Sequence, residues 1–369
     1  MNNKKRPTIA TVAERAGLSV ATVDRVLNAR APVNPQTAEQ VLQAAEAVGY
    51  FAARLIGQRI QARRPHYRFG ILLLGTAQAF YANLAEAINE AARAWPDANL
   101  SCHFEYITDR TPAVIAGQIE QLAVKYDGLG VVSFAHTLIN QTIEQIRAAG
   151  VPVVALLSDF HETPKGPYVG LNNHEVGRTM GWLLAHFGPA REGSIGVLMG
   201  GHRFVGHQAR VDGLRSYLTQ HAPQLRMLEP LVNMDNSDIT EEATLDLLAR
   251  HNDLRGLCVA GGGGDGIIKA LAQLPERPEI CSIVLESTPL SHQALEQGVI
   301  SLVIDSQPFL IGTSLIRLLV ELQAAPVFDP QRHCVYVPLQ IVTSENVGEG
   351  GGMDDVFDSV CVKFTRGNF

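Results

Sequence analysis

From residue 69 to residue 304 the sequence repeats one theme, a short, largely apolar run followed by a longer stretch with apolar residues at three- and four-residue spacing. The runs predict strands over Phe69–Leu74, His103–Ile107, Gly128–Val132, Val153–Leu157, Ser194–Met199, Gly256–Ala260, Ile280–Leu285 and Ser301–Ile304. The stretches between and after them predict helices over Ala79–Ala94, Leu138–Ala149, His174–Phe187, Gln208–Gln220, Thr240–Arg250, Gly266–Gln273, Pro289–Gln297 and Phe309–Leu322. Strands alternating with helices pack as parallel sheets covered on both faces. Four of the strands precede a proline break near Pro164–Pro167 and the others follow it. The pattern therefore predicts an α/β body of two doubly wound lobes, with ligands expected at the carboxyl ends of the strands.

The 46% hydrophobic and 18% charged residues suit a soluble globular protein, and no apolar run approaches the roughly 20 residues of a membrane span. Five scattered cysteines without CxxC spacing, and a polar start with no secretory signal, point to a reducing cytoplasm. The net charge of -7 conceals an asymmetry. Residues 1–64 hold ten basic against four acidic side chains, a balance of +6 that leaves -13 for the rest. A basic head on an acidic body suits a head that meets a polyanion.

The head itself reads as three short helices. Thr8 is placed to cap a first helix that Gly17 ends, and Ser19 to cap a second over Val20 to Leu27. Asn34-Pro35 opens a third, which closes at Gly49. Two short helices around a glycine turn form a helix-turn-helix, whose second helix lies in the major groove of DNA. There Val20 and Ala21 offer apolar contacts, Arg25 a bidentate donor for guanine, and Ser19, Thr22 and Asn28 short polar groups for phosphates. The same pattern without the charge would also serve a small protein-interaction module.

The run VAERAGLSVATVDRVLN (residues 12–28) resembles the head of the lactose-repressor (LacI/GalR) family of bacterial transcription regulators, and Gly49-Tyr50 is similar to the family's end of the third helix. The resemblance implies base reading by Val20, Ala21 and Arg25. Two departures stand out: Asp24 replaces the usual serine, and Arg59 stands where the family's hinge places a leucine that pries open the minor groove. Ile60 is the nearest apolar side chain.

Polar and aromatic residues gather at the predicted strand ends: Phe80 and Tyr81, Asp159, Arg210, Asp265, Glu286 and Asp305. Aromatic faces suit sugar rings, and an arginine with carboxylates suits hydroxyl groups. Residues 68–346 resemble the periplasmic-binding-protein-like sensor of the same family, closest to its ribose-binding type. Under that resemblance Phe80-Tyr81, Ser158-Asp159, Arg210, Glu286 and the segment from Asp305 to Pro308 fall at ligand positions, with Ser306 at the usual glutamine place. The expected organisation is an all-α helix-turn-helix head (1–49), a hinge (50–66), a two-lobed sensing and dimerisation domain (67–346) and a tail (347–369) in which Val360–Phe364 suits an edge strand. The expected function is that of a DNA-binding regulator, a homodimer on double-stranded operator DNA, whose affinity a small sugar-like effector controls, with no cofactor.

The rival reading rests on Gly261–Gly266, which satisfies GxGxxG between a strand and a helix with Glu286 twenty residues on. It would make the chain an NAD(H)-sensing repressor or an NAD-dependent oxidoreductase. Only about 100 residues follow the glycines, too few for the usual two-half dinucleotide domain. No nucleophile arrangement accompanies the scattered histidines, so a catalytic role is not expected.

Overall fold

The computed structural model describes residues 6–28, 33–75, 79–161, 165–325 and 327–347. Those before Arg68, together with Arg93–Ser101, form one compact unit, and the remaining described residues another.

The first unit starts with α1 (Ile9–Ala16), where Thr8 and Thr11 form a reciprocal capping box and Gly17 ends the helix in the left-handed conformation (φ 65°). In α2 (Val20–Asn28) the Ser19 hydroxyl accepts the Thr22 amide at 3.1 Å. Asn34 caps α3 (Pro35–Ala47) in the same way through the Gln36 amide. A fourth helix, α4 (Ala53–Arg63), occupies the expected hinge. Ile56, only 2% exposed, joins Val12, Val23, Val41 and Ala45 in the core of the head, and Ile60 packs on that core from its rim. Arg59 donates to the Leu27 carbonyl at the end of α2, where a cation also meets the negative pole of the helix dipole. Arg59 and Ile60 are thus turned toward the head, whereas Leu55 of the same helix stays exposed.

The second unit alternates as its hydrophobic pattern dictates. Its first half is β1 (His66–Leu74), α5 (Ala79–Arg93), β2 (Asn99–Ile107), α6 (Pro112–Lys125), β3 (Gly128–Val131), α7 (Thr137–Ala148), β4 (Val153–Leu156) and β5 (Tyr168–Gly170). The second half is α8 (Asn173–Phe187), β6 (Gly193–Met199), α9 (Val205–His221), β7 (Leu225–Met227), β8 (Leu231–Val232), α10 (Ser237–Arg250), β9 (Leu254–Val259), α11 (Gly264–Ala272), β10 (Cys281–Leu285), α12 (Pro289–Glu296) and β11 (Leu302–Asp305). The chain closes with α13 (Pro308–Ala324), α14 (Pro330–His333), β12 (Cys334–Tyr336) and β13 (Gln340–Val342).

Two sheets result, ordered β12-β5-β4-β3-β1-β2 and β13-β11-β10-β9-β6-β7, with β8 beside β6. Strands β3, β4, β10 and β11 are buried throughout, as sheets covered by helices on both faces require. The lobe boundary differs from the proline break: β5 follows that break yet pairs with β4, and β12 returns from the far end of the chain to pair with β5. Helix α13 likewise comes back to pack on β3, β4 and β5. The chain therefore passes between lobes three times, after β5, after β11 and after β12. At the second passage the Gln307 side chain donates to the Pro338 carbonyl of the third at 2.5 Å, tying the two together.

In the second lobe α8 and α9 approach until Gly177 lies on the Arg210 carbonyl and Gly213 on the His174 carbonyl. This closeness sets Asn173 and Arg210 beside each other. Their site stands at the carboxyl ends of both sheets.

Candidate functional site

Five non-glycine residues among those described have left-handed backbones: Leu157, Met234, Asp235, Glu286 and Gln307 (φ 54–73°). Each lies at or near the carboxyl end of a strand, and Leu157, Met234, Asp235 and Glu286 line the cleft between the lobes. Such residues cost of order 1–3 kcal/mol each and persist where the surroundings fix them. Here the Leu157 carbonyl accepts from the Tyr168 hydroxyl and the Asn173 amide, and the Glu286 amide donates to the Ile304 carbonyl.

The cleft encloses an inner chamber of about 70 Å³. Phe80, Tyr81, Leu157 and Ser158 line it from the first lobe, and Phe204, His207, Arg210, Asp235, Glu286 and Ser306 from the second. An outer chamber of about 370 Å³ shares Phe80, Asp235 and Glu286 and adds Arg110 and Asp265. Arg110, from the loop after β2, reaches across to Asp235 at 3.4 Å.

Arg210 is buried and held rigidly: Nε donates to Asn173 Oδ1 at 2.8 Å and Nη1 to the Ala260 carbonyl at 3.2 Å. Burial lowers its pKa, with Glu286 opposing. On Glu286, the Ser306 hydroxyl bonds Oε1 at 2.5 Å and the Ser306 amide bonds Oε2 at 3.2 Å. Burial, then repulsion from Asp305, pushes the Glu286 carboxyl up to about 7 in spite of these donors and Arg210. Burial first, and then the nearby carboxylates of Asp235 and Glu286, raise the Tyr81 phenol, so it stays a neutral donor. Burial drives His207 down to about 4, a neutral imidazole whose Nδ1 has no hydrogen-bond partner among the described residues. Arginine, neutral imidazole, hydroxyls and carboxyls beside the ring of Phe80 suit a small ligand rich in hydroxyl groups.

The raised Glu286 has a consequence for stability. Between the ordinary glutamate value and about pH 7 the folded chain keeps a proton that the unfolded chain has released. Its stabilising contribution is whole below that ordinary value and is lost as pH climbs through about 7. Glu286→Gln lacks the penalty of the buried charge. In thermal melts without ligand it is expected to exceed the wild type at pH 8, by up to about 3 kcal/mol, and to approach it at pH 4.5. A constant difference across that range would contradict the assignment.

Of the residues expected from sequence, Phe80, Tyr81, Arg210, Glu286 and Ser306 line the inner chamber, while Asp265 lines only the outer one. Asp159 and Asp305 line neither. Asp159 Oδ1 accepts from the amides of Phe160 and His161, and Asp305 braces the amides of Ser287 and Gln307 at 3.0 Å each. A short carboxylate at a strand end is readily taken by local backbone donors, and strand-end position alone does not distinguish that use. Sequence reasoning missed Asp235, which follows a two-residue strand too short to recognise, and His207 and Phe204, which lie in and before the first turn of α9. Ser158 was flagged only by family resemblance.

On the head, the face of α2 opposite Val23, Val26 and Leu27 presents Val20 (51% exposed), Ala21, Arg25 and Asn28. All four polar groups are engaged locally: the Ser19 and Thr22 hydroxyls with each other at 2.9 Å, Asn28 donating to Asp24 at 2.6 Å, and Arg25 Nε donating to the Ala21 carbonyl at 3.3 Å. The departure at Asp24 thus claims a side chain expected to hold phosphate.

Comparison with known proteins agrees with both units. Residues 69–325 match the periplasmic binding protein domain family, and residues 8–52 match the lacI family of bacterial regulatory proteins. The HTH-type transcriptional regulator GntR of Escherichia coli K12 is 26% identical over 228 residues, 61% of this chain and 62% of that protein. The chain therefore spans under two thirds of that relative's length. The ribose operon repressor of Halalkalibacterium halodurans is 25% identical over 358 residues, 93% of this chain and 98% of the repressor. A solute binding protein of an ABC transporter from Agrobacterium vitis, solved with α-D-tagatopyranose, has a TM-score of 0.69 at 17% identity, over 78% of this chain and 98% of that one. The two sheets and the cleft between them are those of a periplasmic-binding-protein fold. The chain belongs to the periplasmic binding protein domain family and carries a helix-turn-helix head that matches the lacI family of bacterial regulatory proteins. No helix among the described residues is long and apolar enough to cross a membrane.

Proposed function

We propose that this protein is a cytoplasmic transcription regulator, not an enzyme, which binds operator DNA as a homodimer and senses a small polyhydroxylated metabolite, a sugar or close derivative, in the cleft. The observation that carries this reading is the inner chamber, where Arg210, Glu286, Ser306, Ser158 and the aromatic rings of Phe80, Tyr81 and Phe204 converge at the strand ends of two lobes. The A. vitis protein of the same fold was solved with a sugar bound, and the H. halodurans relative is a ribose operon repressor. The homodimer belongs to this reading because one head reads a half-site and two heads read a palindrome. Ligand can alter operator affinity only as far as it binds two arrangements of the lobes differently, a coupling typically of about 1–3 kcal/mol.

The glycine run argues against a dinucleotide. The Gly262 amide donates to Asp235 Oδ1 at 2.9 Å, so a carboxylate already lies on the loop that would have to receive a pyrophosphate. Side chains at Gly263 and Gly266 would run into Thr240, which explains those glycines by packing against α10.

The test is a thermal-shift screen of sugars, polyols, sugar acids and NADH, because a specific ligand stabilises by mass action. A shift with a sugar-like compound supports the reading, whereas a shift with NADH alone overturns it. For the head, Arg25→Ala is expected to lose about 1–3 kcal/mol of discrimination between operator and random duplex while keeping salt-dependent binding to both. Unchanged discrimination in a gel-shift competition would remove Arg25 from base reading.

A further inference from the structure

The imidazole of His207 and the first glycine of the Gly261–Gly266 run meet in the wall of the inner chamber. His207 stands in the first turn of α9, one turn before Arg210 and on the same side of the helix. Its ring packs on that of Phe204, with centroids 4.7 Å and planes 30° apart. Phe204 is itself fixed from the first lobe, where the Ala135 amide donates to the Arg203 carbonyl at 2.9 Å and the Phe134 ring meets the Phe204 ring edge-on at 5.8 Å. A β-carbon on Gly261 would fall 2.6 Å from His207 Cε1 and 2.9 Å from Nδ1, so the ring has its seat because residue 261 is a glycine. Packing against Thr240 explains Gly263 and Gly266, and the imidazole explains Gly261.

The ring is seated by packing and not by hydrogen bonds. Nδ1 is buried and has no partner among the described residues. The charged groups around it are engaged elsewhere: Asp235 Oδ1 accepts the Gly262 amide and Oδ2 faces Arg110, while Arg210 donates to Asn173 and to the Ala260 carbonyl. An apolar side chain of similar volume would fill the same seat without a desolvated, unpaired nitrogen, so stability alone does not account for a histidine here. Burial keeps the ring neutral down to about pH 4, and a neutral imidazole carries one donor and one acceptor. Which nitrogen holds the proton is normally set by the bond that the other one makes. With Nδ1 unbonded that choice is left open, and the nitrogen that meets a ligand serves as donor or acceptor as required. A hydroxyl group, itself both, is matched by either tautomer, whereas a carboxylate or an ammonium group is matched by only one.

We propose that His207 is a specificity-determining residue of the cleft, whose imidazole bonds one hydroxyl group of the effector from the seat that Phe204 and Gly261 provide. The proposal rests on the sugar-sensing reading above and adds to it the side chain that tells a sugar from its deoxy form. A site built around such a bond rejects a ligand without the hydroxyl, because its own polar group is then left unpaired.

The test uses the full chain with D-ribose, D-arabinose, D-allose and D-tagatose, and measures dissociation constants by calorimetry for each sugar that raises the melting temperature of the wild type. His207→Leu is expected to weaken binding about 10–100-fold, and His207→Gln, which keeps a donor and an acceptor, to weaken it less. Without sugar, His207→Leu is expected to melt at or above the wild-type temperature. The monodeoxy sugar that lacks the bonded hydroxyl is expected to bind wild type and His207→Leu alike, whereas the parent sugar separates them. In nitrogen-15 spectra the His207 ring is expected to pass from a mixture of tautomers to a single one as sugar is added. Equal affinity of wild type and His207→Leu for a sugar that shifts both leaves the sensor reading intact and overturns this proposal. A sugar-free melting temperature lowered by about 5 °C or more in both variants, with equal loss of affinity, marks His207 as a core residue and overturns it too. No shift of the wild type with any of the four sugars or in the wider screen overturns the sensor reading and this proposal together.

Discussion

Gly177→Ala is expected to lower the melting temperature by roughly 5–10 °C and to weaken effector binding with it. A β-carbon at this position falls 1.9 Å from the Arg210 carbonyl oxygen and 2.7 Å from its carbonyl carbon. Both are backbone atoms in the second turn of α9, so no side-chain rotation relieves the clash and the helices must separate. Overpacking of this kind costs about 3 kcal/mol or more when backbone has to move. The displaced residue is Arg210 itself, whose Nε bonds Asn173 on the other helix at 2.8 Å, so a stability defect and a binding defect arise from one contact. Gly177→Ser should behave alike. A melting temperature and ligand response equal to the wild type would show that the α8–α9 spacing is loose.

Arg210→Ala has the other large expected effect, a loss of at least 100-fold in affinity for whichever compound the thermal-shift screen identifies. The guanidinium is buried, bonded at Nε and Nη1, and faces Glu286. A hydrogen bond from a charged donor is worth about 1.5–3 kcal/mol, so losing one or two from the guanidinium to a bound ligand accounts for a loss of this size. Operator binding in the absence of effector should persist, since no residue of the head is altered. If the variant keeps the full ligand-induced shift, Arg210 does not hold the ligand; if it loses operator binding too, the effect is on folding and not on the site.

These two residues also show how far sequence carries. Arg210 was legible because it stands in the first turns of a helix just after a strand, where an open α/β sheet places its ligands. The eight strands of four or more residues and most helices between them were legible from a period in the apolar residues, but the 14-residue α6 (Pro112–Lys125) was missed. What else escaped was short or non-local. Strands β5, β12 and β13 have three residues each and acquire meaning only from partners far away in the chain. Asp235 and Asp305 are both acids after strands, yet one faces the chamber and the other ties down backbone amides. That difference depends on a left-handed turn at Asp235 which no local pattern announces. The Gly261–Gly266 run illustrates the opposite case, a motif that matches on paper and that packing explains without a nucleotide.

The segment after the head was expected as a hinge, and Ile56 shows why its helix is already seated: a single apolar side chain at the right turn is swallowed by the core of α1, α2 and α3. A connector already wound and seated has little left to freeze when it meets a duplex. Recognition then proceeds with small ordering entropy and a modest heat-capacity change, in the manner of two rigid bodies. Any duplex that the head meets has then to fit the described helices α1–α4 as they already stand.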